Sequence, residues 1–176
     1  MSPISYGAAM DESAAAAIDA PFVADGIAVL PEWIDFNGHM NVAYYVRAFD
    51  IALDKVYARV GFDPARMKAA NASTFTGEMH ITYQRELKLG DSVRVTTQVL
   101  GFDAKRVHLV QCMYHARDGY LAATDEWLLL YIDMTRRRVG EMPDDLRRHL
   151  TRVRDAHAAL SVPPEVGRAI ALRRPA

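Results

Sequence analysis

WIDFNGHMNVAYYVRAFD, running from Trp33 to Asp50, is the stretch that decides how this chain folds. Asp35, Gly38, His39 and Asn41 crowd polar, turn-forming groups between an apolar strand-like run and a long amphipathic pattern. That order reads as a strand, a tight turn and a helix N-terminus. Val42, Tyr45, Val46, Phe49, Leu53, Val56, Tyr57 and Val60 recur at three- and four-residue steps, which is one face of a helix. Asn41 suits the N-cap and Gly61 the stop, so the helix spans about 30 Å and crosses a whole domain.

The junction also offers chemistry. A helix N-terminus presents unpaired N–H groups and a partial positive charge, which suit a developing oxyanion. Gly38 lets a carbonyl approach that backbone closely, because no Cβ stands in the way. Just upstream, Asp35 is a carboxylate able to attack an acyl carbon or to activate a water. Together they point to acyl transfer to water. The plainer alternative is an Asx-turn in which Asp35 and Asn37 only shape the loop and cap the helix.

On either side of this stretch the chain reads as one domain. Its 176 residues suffice for a single core, and its formal net charge of −1 gives no reason to expect a nucleic-acid partner. The single Cys112 excludes an internal disulfide and suits a reducing cytoplasm. No apolar run reaches the roughly 18 residues of a membrane helix. Residues 1–20 read as a mobile tail, 21–160 as the folded domain and 161–176 as a C-terminal tail. FVADGIAVLPEWI, from Phe22 to Ile34, has the β-rich character of an edge or bulged first strand broken by Gly26 and Pro31. After Gly61 comes a loop with a short helical turn at 64–70. Four strands follow at about 78–88, 92–102, 105–116 and 120–133, separated by turns at Leu89-Gly90-Asp91, Gly101 to Ala104 and Arg117-Asp118-Gly119. A last amphipathic helix after Pro143 turns Leu146, Leu150, Val153 and Leu160 inward, with His157 on the same face.

Outside the opening stretch the candidates are fewer. His39, His80, His108 and His115 lack the spacing of a metal site, so no metal is expected, and His39 reads as a group that orients the loop or donates a hydrogen bond. Glu78 opens a strand near the pocket or is merely solvated. Lys105 and Arg106 sit at a hairpin tip, where cations could meet the phosphates of coenzyme A or form an ordinary charged turn.

The run from Asp35 to Asp50 resembles the signature of hotdog-fold acyl-CoA thioesterases of the 4-hydroxybenzoyl-CoA thioesterase type, D-x-x-G-H-x-N-N followed by Tyr, an aromatic and an acid. Asp35, Gly38, His39, Asn41, Tyr45, Phe49 and Asp50 fall on it, and Val42 departs from it where the family often has a second Asn. PEWIDFNGHMNVAYYV, ITYQREL, LGDSVRVTTQ, DAKRVHL and DGYLAAT further resemble the betainyl-CoA thioesterases of bacterial carnitine breakdown. The resemblance implies an α+β hotdog fold, a curved antiparallel sheet around a long helix. It implies hydrolysis of an acyl-CoA without metal or redox cofactor, in a homodimer or homotetramer with sites between protomers. Asp35 would then be nucleophile or general base, the Gly38 region would bind the thioester oxygen, and Asn41 would cap the helix and position water. A trimethylammonium acyl group would call for aromatic faces or a carboxylate, for which Trp33, Phe36, Tyr44, Tyr45, Trp127 and Glu78 are the candidates. Two rivals are a non-catalytic acyl-CoA-binding protein and a hotdog dehydratase. The dehydratase would need a catalytic His with a Gly-Pro-rich loop, which GHMNV lacks.

Overall fold

The computed structural model describes residues 17–172. Of the expected N-terminal tail, residues 1–16 lie outside the described part; Ile18 packs on the core and Asp19 pairs with Arg59 at 2.9 Å. Residues 173–176 of the expected C-terminal tail also lie outside it.

Strand β1 (Phe22–Ala28) leads through a one-turn 3-10 helix (Pro31–Trp33) to the long helix α1 (Val42–Val60). Then come α2 (Pro64–Ala69), β2 (Ala72–Tyr83), β3 (Ser92–Phe102), β4 (Arg106–His115), β5 (Leu121–Asp133), the short β6 (Arg138–Val139) and α3 (Asp144–His157). Helix α1 begins and ends where its chemistry dictates. The Asn41 side chain accepts from Ala43 N at 3.0 Å, and Gly61, at φ 121°, ends it against α3, where an added Cβ would lie 2.8 Å from Leu146 and 2.9 Å from His149. Its inward face is Tyr45, Ala48, Phe49, Ala52, Leu53, Val56 and Val60. Val42, expected on that face, is exposed.

The sheet is antiparallel in the order β1-β3-β4-β5-β2, with β6 appended to β5. Register breaks in β1 at Asp25–Gly26, in β2 at Gly77 and in β3 at Leu100 bend it around α1, since an extra residue on one strand tightens the local twist. Alternate residues therefore split cleanly: Val107, Leu109 and Met113 of β4 and Ala123, Trp127 and Leu129 of β5 join the helix in one core. This is the curved sheet and central helix of the expected α+β hotdog fold.

Three boundaries differ from expectation. Strand β2 starts at Ala72 rather than 78, because residues 72–76 pair with Leu129 to Asp133. It also ends at Tyr83: Gln84 and Arg85 N–H both donate to Ala122 O, at 2.9 and 3.1 Å, and the chain leaves the sheet to bury Leu87 beside α1. At the other end, Leu160 is only half-buried beyond α3, and the inward position goes to His157, wholly buried, whose Nδ1 accepts from Val99 N at 2.9 Å. That bond satisfies a backbone group freed next to the β3 bulge.

Candidate active site

The loop between the 3-10 helix and α1 is closed by its own backbone. Ile34 and Met40 form a bridge, Asp35 N donates to His39 O at 3.1 Å, and Asn41 N donates to Trp33 O at 2.8 Å. Gly38, at φ 79°, allows the reversal, and its N–H donates to Asp35 O at 3.0 Å. Met40 N donates to Leu87 O at 2.7 Å, and the Tyr45 hydroxyl accepts from Leu87 N at 3.2 Å. The segment that leaves β2 thus clamps the loop onto the helix.

Asp35 is half-buried on this frame. Its Oδ1 accepts from Asn37 N at 2.8 Å, the expected Asx-turn, while no described residue bonds Oδ2. A carboxylate with one oxygen anchored and the other open is oriented for chemistry. The Gly38 N–H is engaged within the turn, so the open donors here are the N–H of its neighbour His39 and that of Val42, the first residue of α1. His39 lies beside them, its Nδ1 3.4 Å from Met40 O.

A cleft of about 270 Å³ adjoins this loop, lined by His39, Met40, Val42, Tyr45, Tyr83, Gln84, Arg85 and Glu86. Tyr45 and Tyr83 meet edge to face in it at 5.2 Å. Of the other aromatic candidates, Trp33 is buried, stacked on Tyr44 at 5.5 Å with the planes 12° apart. Phe36 is 97% exposed at the tip of the loop.

The remaining candidates lie elsewhere. Glu78 is in mid-strand, just past the Gly77 bulge, on the outward side of the sheet. It shares a cavity of about 660 Å³ with Arg106, His80, His108, Glu126 and Arg168. Arg106 is drawn onto Asp103, whose Oδ2 accepts from its Nε at 2.8 Å, and this partner holds the Asp103 carboxyl below its usual range. Lys105 lines one cavity with Tyr131, Asp133, Arg136 and Arg138, and another, of about 440 Å³, together with Arg106 and Asp103. Among the described residues no cluster of three or more His, Cys, Asp or Glu could hold a metal ion.

Two features escaped the sequence reading. Tyr83 was counted only as part of a strand, and becomes a cleft wall because β2 ends there. Asp125 lies on the helix-facing side of β5, wholly buried, with neither carboxylate oxygen hydrogen-bonded. Burial pushes its pKa up to about 8, although the nearby Trp127 indole N–H lowers it somewhat. The signal was present: an acid at a period-two position shared with Ala123, Trp127 and Leu129 points inward.

Comparison with known proteins bears on the whole arrangement. Residues 29–150 match the family model described as the thioesterase-like superfamily. The chain is 38% identical over 144 residues to the betainyl-CoA thioesterase of Pseudomonas aeruginosa, covering 82% of this chain and 91% of that protein. It is 32% identical over 142 residues to the L-carnitine dehydrogenase/betainyl-CoA thioesterase of Rhizobium meliloti, covering 81% of this chain but only 28% of that longer protein. The protein SAV2348 of Staphylococcus aureus, solved in complex with CoA, superposes with a TM-score of 0.80 at 29% identity, over 91% of this chain and all of that one. No helix of the described residues is long and apolar enough to cross a membrane. With its curved sheet, its central helix and the Asp35 loop at the helix N-terminus, the chain belongs to the thioesterase-like superfamily.

Proposed function

We propose that this acyl-CoA thioesterase acts on a short cationic acyl group, betainyl-CoA, as a step in carnitine breakdown. The observation that carries the mechanism is the Asp35 carboxylate, held by one oxygen and open at the other, next to unengaged N–H groups where α1 begins. The thioester oxygen accepts from the His39 or Val42 N–H, and the helix N-terminus stabilises the charge that grows on it. Either Asp35 attacks the acyl carbon and expels the CoA thiolate, leaving a mixed anhydride that water then hydrolyses, or it takes a proton from the water that attacks, and the departing thiolate takes up that proton. Asn41 caps the helix and so fixes the direction of these donors. The substrate reading is supported by the two relatives whose names include betainyl-CoA thioesterase and by the aromatic walls of the cleft, Tyr45 and Tyr83.

The site is completed between two copies. Strand β2 closes one side of the sheet, and none of its twelve residues is buried. An open strand that long is a liability unless it is paired. Phe75 along it, Tyr83 at its end and Val42 and Phe36 at the loop are large apolar groups left exposed. A second copy joined along β2 covers them and brings its own outward face, with Glu78, Lys105 and Arg106, towards the first copy's loop, where the cations meet the CoA phosphates. A homodimer or a homotetramer built from it satisfies this. The enzyme works in the cytoplasm, where coenzyme A is available, and no metal or redox cofactor takes part.

Release of free thiol from a panel of acyl-CoAs tests the reading. Asp35→Asn keeps the Oδ1 acceptor for Asn37 N–H but removes the reactive carboxylate, so kcat should fall more than ~100-fold with the fold unchanged by circular dichroism. Near-parental turnover by this variant would leave Asp35 as a residue that only shapes the loop and refute its catalytic role, whereas a parent that releases no thiol from any acyl-CoA would favour the rival, a protein that only binds acyl-CoA.

A further inference from the structure

On the helix-facing side of β5 lies a buried polar group that the mechanism above does not use. Asp125 is 0% exposed, and both its oxygens lack a partner. Across the ladder on β4 sits Gln111, also 0% exposed, whose Nε2 donates to Thr97 at 3.1 Å while its Oε1 is likewise unpartnered. On the β2 side the cross-strand neighbour is Ile81, two residues from Tyr83, and the Tyr83 hydroxyl feels the Asp125 charge. Trp127, two residues along β5, adds an aromatic ring on the same side. Among the described residues no Lys, Arg or His is hydrogen-bonded or ion-paired to Asp125.

Such a group is costly to keep. A buried carboxylate is tolerated when a cation or hydrogen-bond donors answer it, and among the described residues no cation does, while the Trp127 indole N–H nearby is itself without a partner. Around Asp125 stand the Gln111 carbonyl, the Trp127 ring, and Tyr83 with Tyr45 against it. A quaternary ammonium fits that set. It has no N–H to satisfy, is weakly hydrated, and is attracted both by a carboxylate and by ring faces.

We propose that Asp125 is the counter-charge for the substrate's acyl end, selecting a quaternary ammonium group that enters beside Tyr45 and Tyr83. This rests on the reading of the chain as a thioesterase for a cationic acyl-CoA. The resting acid is protonated at neutral pH, and arrival of the cation displaces that proton to solvent, leaving a buried ion pair in place of a buried neutral acid. Discrimination between a cationic and a neutral acyl group must then grow with pH.

The groups that could blur this are few. Tyr83 on β2 and Tyr45 on α1 are both raised above their ordinary range by burial, β4 presents the uncharged Gln111, and β5 presents Trp127. The cleft is also lined by the charged Arg85 and Glu86 and by His39.

The experiment compares kcat/KM for betainyl-CoA and butyryl-CoA at pH 6.5 and 8.5, with spontaneous hydrolysis subtracted. If only the ionised acid receives the cation, the ratio should rise on the order of 20-fold across that interval in the parent, as the ionised fraction rises. In Asp125→Asn the rise should vanish and the ratio at pH 8.5 should fall at least tenfold. A ratio that does not change with pH in the parent, or that rises equally in the variant, overturns the assignment of Asp125 and leaves the thioesterase reading standing. A parent that cleaves butyryl-CoA but not betainyl-CoA refutes the cationic substrate itself. Should the variant fail to fold, the parent's pH dependence still decides.

Discussion

Replacing Asp125 by Asn should make the fold more stable, by an amount that grows with pH. In the folded chain burial pushes the carboxyl up to about 8, against an ordinary value of 3.8. Between those two values the folded state keeps a proton that the unfolded state has released. The contribution of Asp125 to stability is therefore fully present below about pH 4, falls by about 1.4 kcal/mol per pH unit as pH rises, and is lost above about pH 8. Asn has no such proton. Relative to the parent, the variant should gain roughly 3 kcal/mol between pH 5 and pH 7, whatever constant offset its amide introduces. For a chain of this size that is roughly 5–10 °C in the difference between the two melting temperatures. The measurement is urea or thermal unfolding of both proteins at pH 5, 6 and 7, at one protein concentration so that assembly does not move the midpoint. His157 runs the other way: burial lowers its pKa, so its contribution rises with pH towards 6.5, but it is common to both proteins and cancels in the difference. A difference that stays flat from pH 5 to 7 would mean that Asp125 is ionised and answered in the fold, and the reasoning about its burial would fail.

Two further outcomes follow from the fold. His157→Ala removes the acceptor for Val99 N, the contact with Asp19 O at 2.8 Å and the edge-on packing against Phe22 at 4.8 Å. Chemical denaturation should show a loss of about 3 kcal/mol, and a loss below ~1 kcal/mol would mean that the β3 bulge is held by other contacts. Light scattering at micromolar concentration should report a dimer or a larger even assembly, because β2 is an open edge. A stable, fully active monomer would contradict the placing of the site between copies.

Much of this was legible in the chain itself, and the reason in each case is local. The 3.6-residue pattern after Asn41 needs only its own side chains to declare a helix, and Asn41 and Gly61 bound it as caps because their preferences act within one turn. The hairpin turns and the Asx-turn at Asp35 are likewise short-range, and so was the grouping of Asp35, Gly38, His39 and Asn41. What depended on pairing across the sheet was not legible. Residues 72–76 look like a loop and become strand because β5 offers them a ladder; residues 84–88 look like strand and leave the sheet because Ala122 O takes two N–H groups at once. Glu78, Lys105 and Arg106 are close to nothing catalytic within one copy, since the pleat turns Glu78 and Arg106 to the outer face and the hairpin carries Lys105 away. Asp125 is the clearest case. Its alternation with Ala123 and Trp127 told which way it points, but only the closed sheet, with α1 laid over it, determined that it would be wholly buried with no cation of the described residues paired to it.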